Sequence, residues 1–87
     1  MSASNKERIE KVIGILQSIV KDTGVPRNIR KTVSDVIQVL LSTDKSDGVK
    51  AGIAAHMLDE ISMDMNMPST TRIKIWECLG ELEKVHD

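Results

Sequence analysis

The residues best suited to bind a metal ion are His56 and the carboxylates that follow it. His56 precedes Asp59, Glu60 and Asp64 by three, four and eight residues, so an α-helix would bring the imidazole close to them. Imidazole and carboxylate groups are both ligands for transition metals. A metal site needs ligands that converge from several elements, and one helix supplies only part of a set. We therefore interpret this group as polar helix surface and expect no metal and no other cofactor.

Cys78 is the single cysteine of the chain and its candidate nucleophile. A thiol becomes nucleophilic when a base or a positive charge lowers its pKa, and no histidine stands three or four residues from Cys78. The sequence also lacks a glycine-rich phosphate loop, a Gly-x-Ser-x-Gly turn and paired cysteines. We interpret Cys78 as a small core residue and expect that the protein is not an enzyme.

A small group of basic residues is the candidate for contacting anions. Arg27, Arg30 and Lys31 are close in sequence, and Arg72 follows Arg30 by 42 residues. Such residues contact phosphates in accessory proteins of nucleic acids and ribonucleoproteins. The chain has 12 basic and 13 acidic residues, a formal charge of −1, and one aromatic residue to stack on a base. We therefore interpret these basic residues first as a solvated helix face. Nucleic-acid binding through them is the second functional hypothesis.

Three residues are candidates for contacting another protein. Met63 and Met65 alternate with polar residues in a turn, where methionine would form an adaptable apolar patch, whereas Met67 should pack against the start of the next helix. Trp76 is the type of residue that often anchors a protein contact. The first hypothesis is a non-enzymatic protein-interaction or scaffold module, whose partner is another protein or a second copy of this chain.

These candidates are positioned by a turn that occurs twice. Its matched residues, 42 positions apart, are Asp22 and Asp64, Pro26 and Pro68, and Arg30 and Arg72. Because amphipathic segments flank each copy, the repeat predicts two similar helical hairpins. We expect each aspartate to accept backbone amides and to form an ion pair with the arginine of its own turn.

The apolar residues of the first half recur at helical spacing. Ser4 and Glu7 have the spacing of a capping box, and the helix that they begin should end at about Lys21. Gly24 is free to adopt a left-handed conformation in the turn, and Pro26 suits the first position of a second helix.

The second half repeats this arrangement. Ser46 or Asp47 should cap a third helix, and Pro68 or Ser69 should begin a fourth. The third helix shows a stripe of larger apolar residues at Ile53, Met57, Leu58 and Ile61. The inward face of the fourth helix is predicted to be Ile75, Cys78, Leu79 and Leu82.

Short connections between the helices require neighbours to be antiparallel. The sequence thus predicts an all-α fold, an up-and-down four-helix bundle of two similar hairpins, at about 5–42 and 47–86, within a single helical domain 1–87. A two-repeat solenoid of the HEAT type is the alternative, although it would leave both end faces uncovered. The predicted core contains Leu16, Leu40, Leu58 and Leu82.

The chain of 87 residues holds no apolar stretch long enough to span a membrane. The polar segment Met1 to Arg8 does not resemble a signal peptide, and one cysteine cannot form an internal disulfide. We therefore expect a cytoplasmic protein.

Three segments carry a resemblance to a known family: VPRNIRK at residues 25–31, LDEIS at residues 58–62 and NMPSTTRIKIW at residues 66–76. With them, nearly the whole chain resembles a family of short archaeal helical proteins that is known only as an uncharacterised protein family. The resemblance implies a compact four-helix bundle in a cytoplasmic archaeal protein. It implies no activity, cofactor or site.

Overall fold

The computed structural model of the protein describes residues 3–87, which form four α-helices and no strand. In chain order the helices are α1 (Asn5–Val20), α2 (Arg27–Leu41), α3 (Asp47–Ile61) and α4 (Ser69–Leu82). Met1 and Ser2 lie outside the described residues. They are the first two residues of the predicted domain 1–87 and of the polar segment that was not expected to be a signal peptide. The prediction of an all-α fold is confirmed.

The helices form an up-and-down four-helix bundle, as predicted. Each helix contacts the next one along the chain, and α1 also contacts α4, so the four helices close a ring. Near the start of α1 the side-chain amide of Asn5 donates to the carbonyl of His86 at 2.6 Å, just beyond the end of α4, so these two helices are antiparallel. The contact between α1 and α4 covers the core that a two-repeat solenoid would leave open.

Serine side chains begin two of the helices. Ser4 and Glu7 form the predicted capping box at α1, in which the backbone amide of Glu7 donates to Ser4 Oγ at 3.2 Å. Ser46 accepts a backbone amide at the start of α3 in the same way. Pro26 and Pro68 have extended backbones and immediately precede α2 and α4. The prediction that Pro26 is the first helical residue is therefore wrong by one position.

The aspartates of the two repeated turns make equivalent hydrogen bonds. Asp22 Oδ1 accepts the backbone amide of Gly24 at 2.8 Å, and Asp64 Oδ1 accepts that of Asn66 at 2.8 Å. Each carboxylate thus closes a tight turn of its own chain segment. The expectation that these aspartates accept backbone amides is confirmed, whereas the origin of the two hairpins from one repeat stays a prediction.

The arginines of the two turns bind main-chain carbonyls. Arg30 Nε donates to the carbonyl of Val25 at 3.0 Å. Arg72 Nε donates to Ser62 at 2.9 Å, and its Nη2 donates to the carbonyl of Asp64 at 2.9 Å. The prediction that each arginine pairs with the aspartate of its turn is wrong, because the ion pairs among residues 3–87 include neither Arg30 with Asp22 nor Arg72 with Asp64. Carbonyls after a helix end lack helical partners and attract a cation, and they take the place of the carboxylate.

Gly24 does not adopt the expected left-handed conformation, because no residue in the described range has a positive φ. The absence of a side chain at Gly24 has a different effect. A Cβ added at Gly24 would lie 3.1 Å from Oδ1 of Asp22, the same oxygen that accepts its backbone amide. Glycine therefore permits close approach of the carboxylate rather than an unusual backbone angle.

The core lies along the axis of the bundle and is almost entirely aliphatic. Its largest fully buried side chains include those of Leu16, Leu58 and Ile75, and the predicted core leucines are all buried. In α3 the buried residues are Ala51, Ala54 and Leu58, and the prediction that Ile53 faces inward is wrong, since its side chain is 37% exposed. Ala51 and Ala54 line the inner face of α3. The larger side chain of Ile53, which lies between them in sequence, is on the outer side of the helix.

Ion pairs join α1 to α4. Arg8 donates to Glu81 at 3.1 Å, and Lys11 lies 3.4 Å from Glu81 and 3.7 Å from Glu77. Partial desolvation raises the pKa of Glu81, but the hydrogen bonds from Lys11 and Arg8 outweigh this effect and hold the pKa below its ordinary value. The charged form of Glu81 is therefore the one that stabilises this pair of helices.

A second long-range contact covers the start of α3. The carboxylate of Asp87 accepts the backbone amide of Gly48 at 2.7 Å and the hydroxyl of Ser46 at 2.8 Å. The bond from Gly48, followed by that from Ser46, holds the pKa of Asp87 below its ordinary range. A Cβ at Gly48 would lie 2.8 Å from this carboxylate, so a larger residue there would make the Asp87 side chain shift.

Candidate protein-interaction surface

Two large apolar side chains lie next to each other on the solvent side of α4. Ile73 and Trp76 are three residues apart, and their side chains are 60% and 57% exposed. Ser69 and Gly80, both exposed, extend the same stripe by about one turn in each direction. We call these four residues the α4 outer face.

The opposite side of α4 explains why these residues point outward. Thr71, Ile75, Cys78 and Leu82 are buried, and they fix the rotation of the helix about its axis. Successive helical residues differ by about 100°, so Ile73 and Ile75 cannot both face the core. Packing of the inner residues therefore leaves Ile73 and Trp76 in solvent.

The predicted contact residue Trp76 is exposed, and the predicted contact residues Met63 and Met65 are exposed in the turn that precedes α4. Met65 is 94% exposed, whereas Met67 is buried against the core, as expected for a residue that packs at the start of the helix. The two hydrogen bonds from Arg72 hold the turn in place. Ile73 was missed from sequence, although its position three residues before Trp76 is the signal that would have identified it.

The charges beside the α4 outer face are segregated along the helix. Arg72 and Lys74 lie in the first half of α4, whereas Glu77 and Glu81 lie in the second half and Glu83 follows its last residue. The apolar pair thus has basic neighbours toward one end, whereas the acidic residues toward the other end are accompanied by Lys84 and, from α1, by Arg8 and Lys11. A charged rim around an apolar centre is typical of protein contact surfaces.

The predicted anion-contact residues lie on two helices. Arg27, Arg30 and Lys31 are at the start of α2, whereas Arg72 is on α4. Lys31 forms an exposed ion pair with its neighbour Asp35 at 2.9 Å. Arg30 and Arg72 use their guanidinium groups to hold the two turns. Three of the four cations therefore have protein partners already.

The candidate metal ligands stay on the surface. His56 Nε2 lies 2.6 Å from Glu60, and both side chains are exposed. Among residues 3–87 no group of three or more histidine, cysteine or acidic side chains is arranged to hold a metal ion. The Glu-x-x-His spacing of Glu83 and His86 falls after the end of α4, where both residues are exposed.

Cys78 is fully buried, as the core interpretation requires. Burial raises its pKa to about 12, and the negative charges of Glu77 and Glu81 act in the same direction. The thiol is therefore neutral at physiological pH and is a poor nucleophile. Within the described part of the chain, no helix combines the length and the apolar character needed to cross a bilayer.

Residues 1–85 match the model of a family described as "Uncharacterised protein family (UPF0147)". The chain is 48% identical over 83 residues to a UPF0147 protein of the archaeon Metallosphaera sedula, which covers 95% of this chain and 93% of the relative. It is 47% identical over 81 residues to one from Pyrococcus horikoshii, covering 92% and 87% of the two chains.

Two crystal structures have a similar fold. One is of a protein of unknown function, MMP1188, which is 34% identical, with a TM-score of 0.94 over 100% of this chain and 99% of the other. The second is a UPF0147 protein from Thermoplasma acidophilum, 26% identical, with a TM-score of 0.85 over 91% and 93% of the two chains.

Proposed function

Because the chain belongs to the archaeal protein family UPF0147, which is uncharacterised, we propose its function from its own surface. The protein is a non-enzymatic protein-interaction module, and it contacts its partner through the α4 outer face and the exposed methionines of the preceding turn. The observation that carries this proposal is the exposure of Ile73 and Trp76 on adjacent turns of one helix.

An exposed apolar residue by itself carries little information, since much of any protein surface is apolar. Here a tryptophan and an isoleucine lie side by side on a rigid helix. Tryptophan contributes more to protein contacts than most residues, and it does so from the centre of an apolar patch with a polar rim. The charges along both sides of α4 supply such a rim.

Met63 and Met65 extend the surface at the end of the bundle where α4 begins. The flexible thioether side chain of methionine adapts to partners of different shape. Arg72 fixes the backbone of this turn, so the methionines are presented from a defined position. Together, a rigid helix face and an adaptable turn suit a protein partner.

The alternative, an accessory protein that contacts nucleic acid, would use Arg27, Arg30 and Lys31. Its support is weaker because Arg30 bonds a turn carbonyl and Lys31 pairs with Asp35. A nucleic-acid surface also needs wider positive charge than these residues provide.

We place this module in the cytoplasm and assign it no catalytic role. A buried, neutral Cys78 thiol suits a reducing compartment, and none of the titratable groups described above combines a cavity with a shifted pKa suited to acid–base chemistry.

A capture experiment from archaeal cell extract tests the proposal. The immobilised protein should retain a specific partner, and the double variant Ile73→Ser with Trp76→Ala should lose it. The matched control is Leu41→Ala, which alters an equally exposed apolar residue on α2. Retention of the same partner by the double variant would contradict the proposal. Loss of the partner after nuclease treatment would favour the nucleic-acid alternative instead.

A further inference from the structure

We infer that the partner seated on the α4 outer face is a second copy of this chain, bound with the two α4 helices antiparallel about a two-fold axis. This inference rests on the proposed function and names its partner. In such a contact each residue of the surface faces residues of the same surface, so the surface must be complementary to itself. Shape and charge along α4 both meet this requirement.

The shape requirement is met by Gly80. It lies four residues after Trp76 on the same face, and a Cβ added there would meet no atom of residues 3–87 within 4 Å beyond its chain neighbours and the adjacent backbone of its own helix. Glycine lets another helix approach closely. When two α4 helices run antiparallel, the gap at Gly80 of one copy receives the Ile73 and Trp76 side chains of the second copy.

The charge requirement is met by the segregation along α4. The first half carries Arg72 and Lys74, and the acidic residues Glu77, Glu81 and Glu83 follow, with Lys84 after them. Because Glu77 and Glu81 already contact Arg8 and Lys11 of α1, the exposed Glu83 is the acidic side chain that a second copy's basic half would meet. Antiparallel pairing places the basic half of each helix beside the acidic half of its partner, whereas parallel pairing would place like charges together. Complementary charges at the rim of an interface select this orientation.

The size of the surface determines the strength of the contact. α4 has 14 residues, and its length is about 21 Å at the helical rise of 1.5 Å per residue. A contact along one such face buries less than the roughly 1,200 Å² of a standard stable interface, so we expect a reversible dimer with micromolar or weaker affinity. Association of this strength depends on concentration in the range accessible to the purified protein.

Sedimentation of the purified chain from about 10 µM to about 1 mM tests this inference. The average mass should rise from one chain toward two as concentration increases. Gly80→Gln fills the gap and should weaken dimerisation about 100-fold, because every dimer contains the altered contact twice. Glutamine also favours a helix over glycine, so the variant should remain folded.

Gly14→Gln is the matched control. Gly14 is an exposed glycine in α1, and a Cβ there also meets nothing within 4 Å among the described residues. It makes the same change in composition and helix propensity away from α4, and should dimerise as the unaltered chain does. Glu83→Lys, which opposes the basic half of the partner helix, should weaken the dimer two- to five-fold.

A chain that stays monomeric at about 1 mM would overturn this inference, and so would a dimer that Gly80→Gln leaves unchanged. Unchanged or stronger association of Glu83→Lys would overturn the antiparallel arrangement. A monomeric chain that still captures a different protein, and loses it in the Ile73→Ser and Trp76→Ala variant, would overturn the dimer but support the interaction module. Failure of both experiments would overturn both proposals.

Discussion

Helices α2 and α4 occupy matching places in the two hairpins, and their inner faces are alike. At positions 42 residues apart, buried Val33 corresponds to Ile75 and buried Leu40 corresponds to Leu82. Both helices follow a proline and a turn that an arginine holds through main-chain carbonyls. The inner residues of α2 and α4 therefore occupy equivalent positions in the hydrophobic core of the bundle.

The outer faces of the two helices differ at every position. On α2 the outer residues are Arg27, Lys31, Ser34 and Gln38, and the residues 42 positions later on α4 are Ser69, Ile73, Trp76 and Gly80. Core packing restricts the inner set and leaves the outer set free to vary. Because the two helices share their packing but not their surface, the apolar character of α4 is not a requirement of the fold. This contrast is the main reason for proposing that a partner binds to α4.

The largest expected effect tests the similarity of the inner faces. Leu40→Ala and Leu82→Ala each remove a buried leucine side chain and leave a cavity, and each should lower the free energy of unfolding by about 2–5 kcal/mol. Urea unfolding followed by circular dichroism measures both values. A difference of more than about 2 kcal/mol between them would show that the two inner faces are not equivalent.

The turns provide the next test. Arg72→Met removes two hydrogen bonds to carbonyls, whereas Arg30→Met removes one. We expect losses of about 2–3 kcal/mol for Arg72 and about 1 kcal/mol for Arg30, since each bond contributes roughly 1 kcal/mol or somewhat more when the donor is charged. The same unfolding experiment compares them. Equal losses would indicate that the turn before α4 is no more firmly held than the turn before α2.

Lowering the pH should reduce the stabilisation contributed by an ionised carboxylate on α4. Helix α2 has no equivalent group, because the residue matching Glu81 is the uncharged Val39. The pKa of Glu81 is lower in the folded protein than in the unfolded chain, so its contribution is present above the unfolded pKa and is lost as the pH falls through the folded value. Stability should therefore drop below about pH 4. Thermal unfolding of Glu81→Gln should show a smaller drop, and an identical pH profile would contradict the role of this carboxylate.

The smallest effect on stability is expected where the two outer faces are made alike. The double variant Ile73→Lys with Trp76→Ser gives α4 the residues of α2 and should change the free energy of unfolding by less than about 0.5 kcal/mol, because both side chains are exposed. Sedimentation of the same variant should show a monomer. Destabilisation above about 1 kcal/mol would mean that Trp76 stabilises its own bundle instead.

Regular features of this fold could be predicted from sequence. Apolar spacing identified four helices and buried leucines such as Leu16 and Leu58, because one face of each helix must leave water. The capping box at Ser4 and the cap at Ser46 were also predictable, since both are local. These features depend on neighbours within one or two helical turns.

The incorrect predictions concern residues for which several packing or hydrogen-bonding partners were available. Apolar residues occur on several sides of α3, so the sequence pattern did not show that Ala51 would face inward and that Ile53 would be partly exposed. Arg72 was expected to bind a carboxylate, but helix-end carbonyls, which every sequence contains, lay within reach. Of the candidate surface, Trp76 was identified by residue type, whereas Ile73 was missed although its position three residues before Trp76 could have identified it.

The ring closed by α1 and α4 has a consequence for the order of folding. Asn5 and His86 are 81 residues apart in sequence, whereas neighbouring helices are joined by short turns. Closing a long loop costs more chain entropy than closing a short one. We therefore expect hairpins to form first in refolding, with the pairing of α1 and α4 as the late, slow event whose disruption precedes global unfolding.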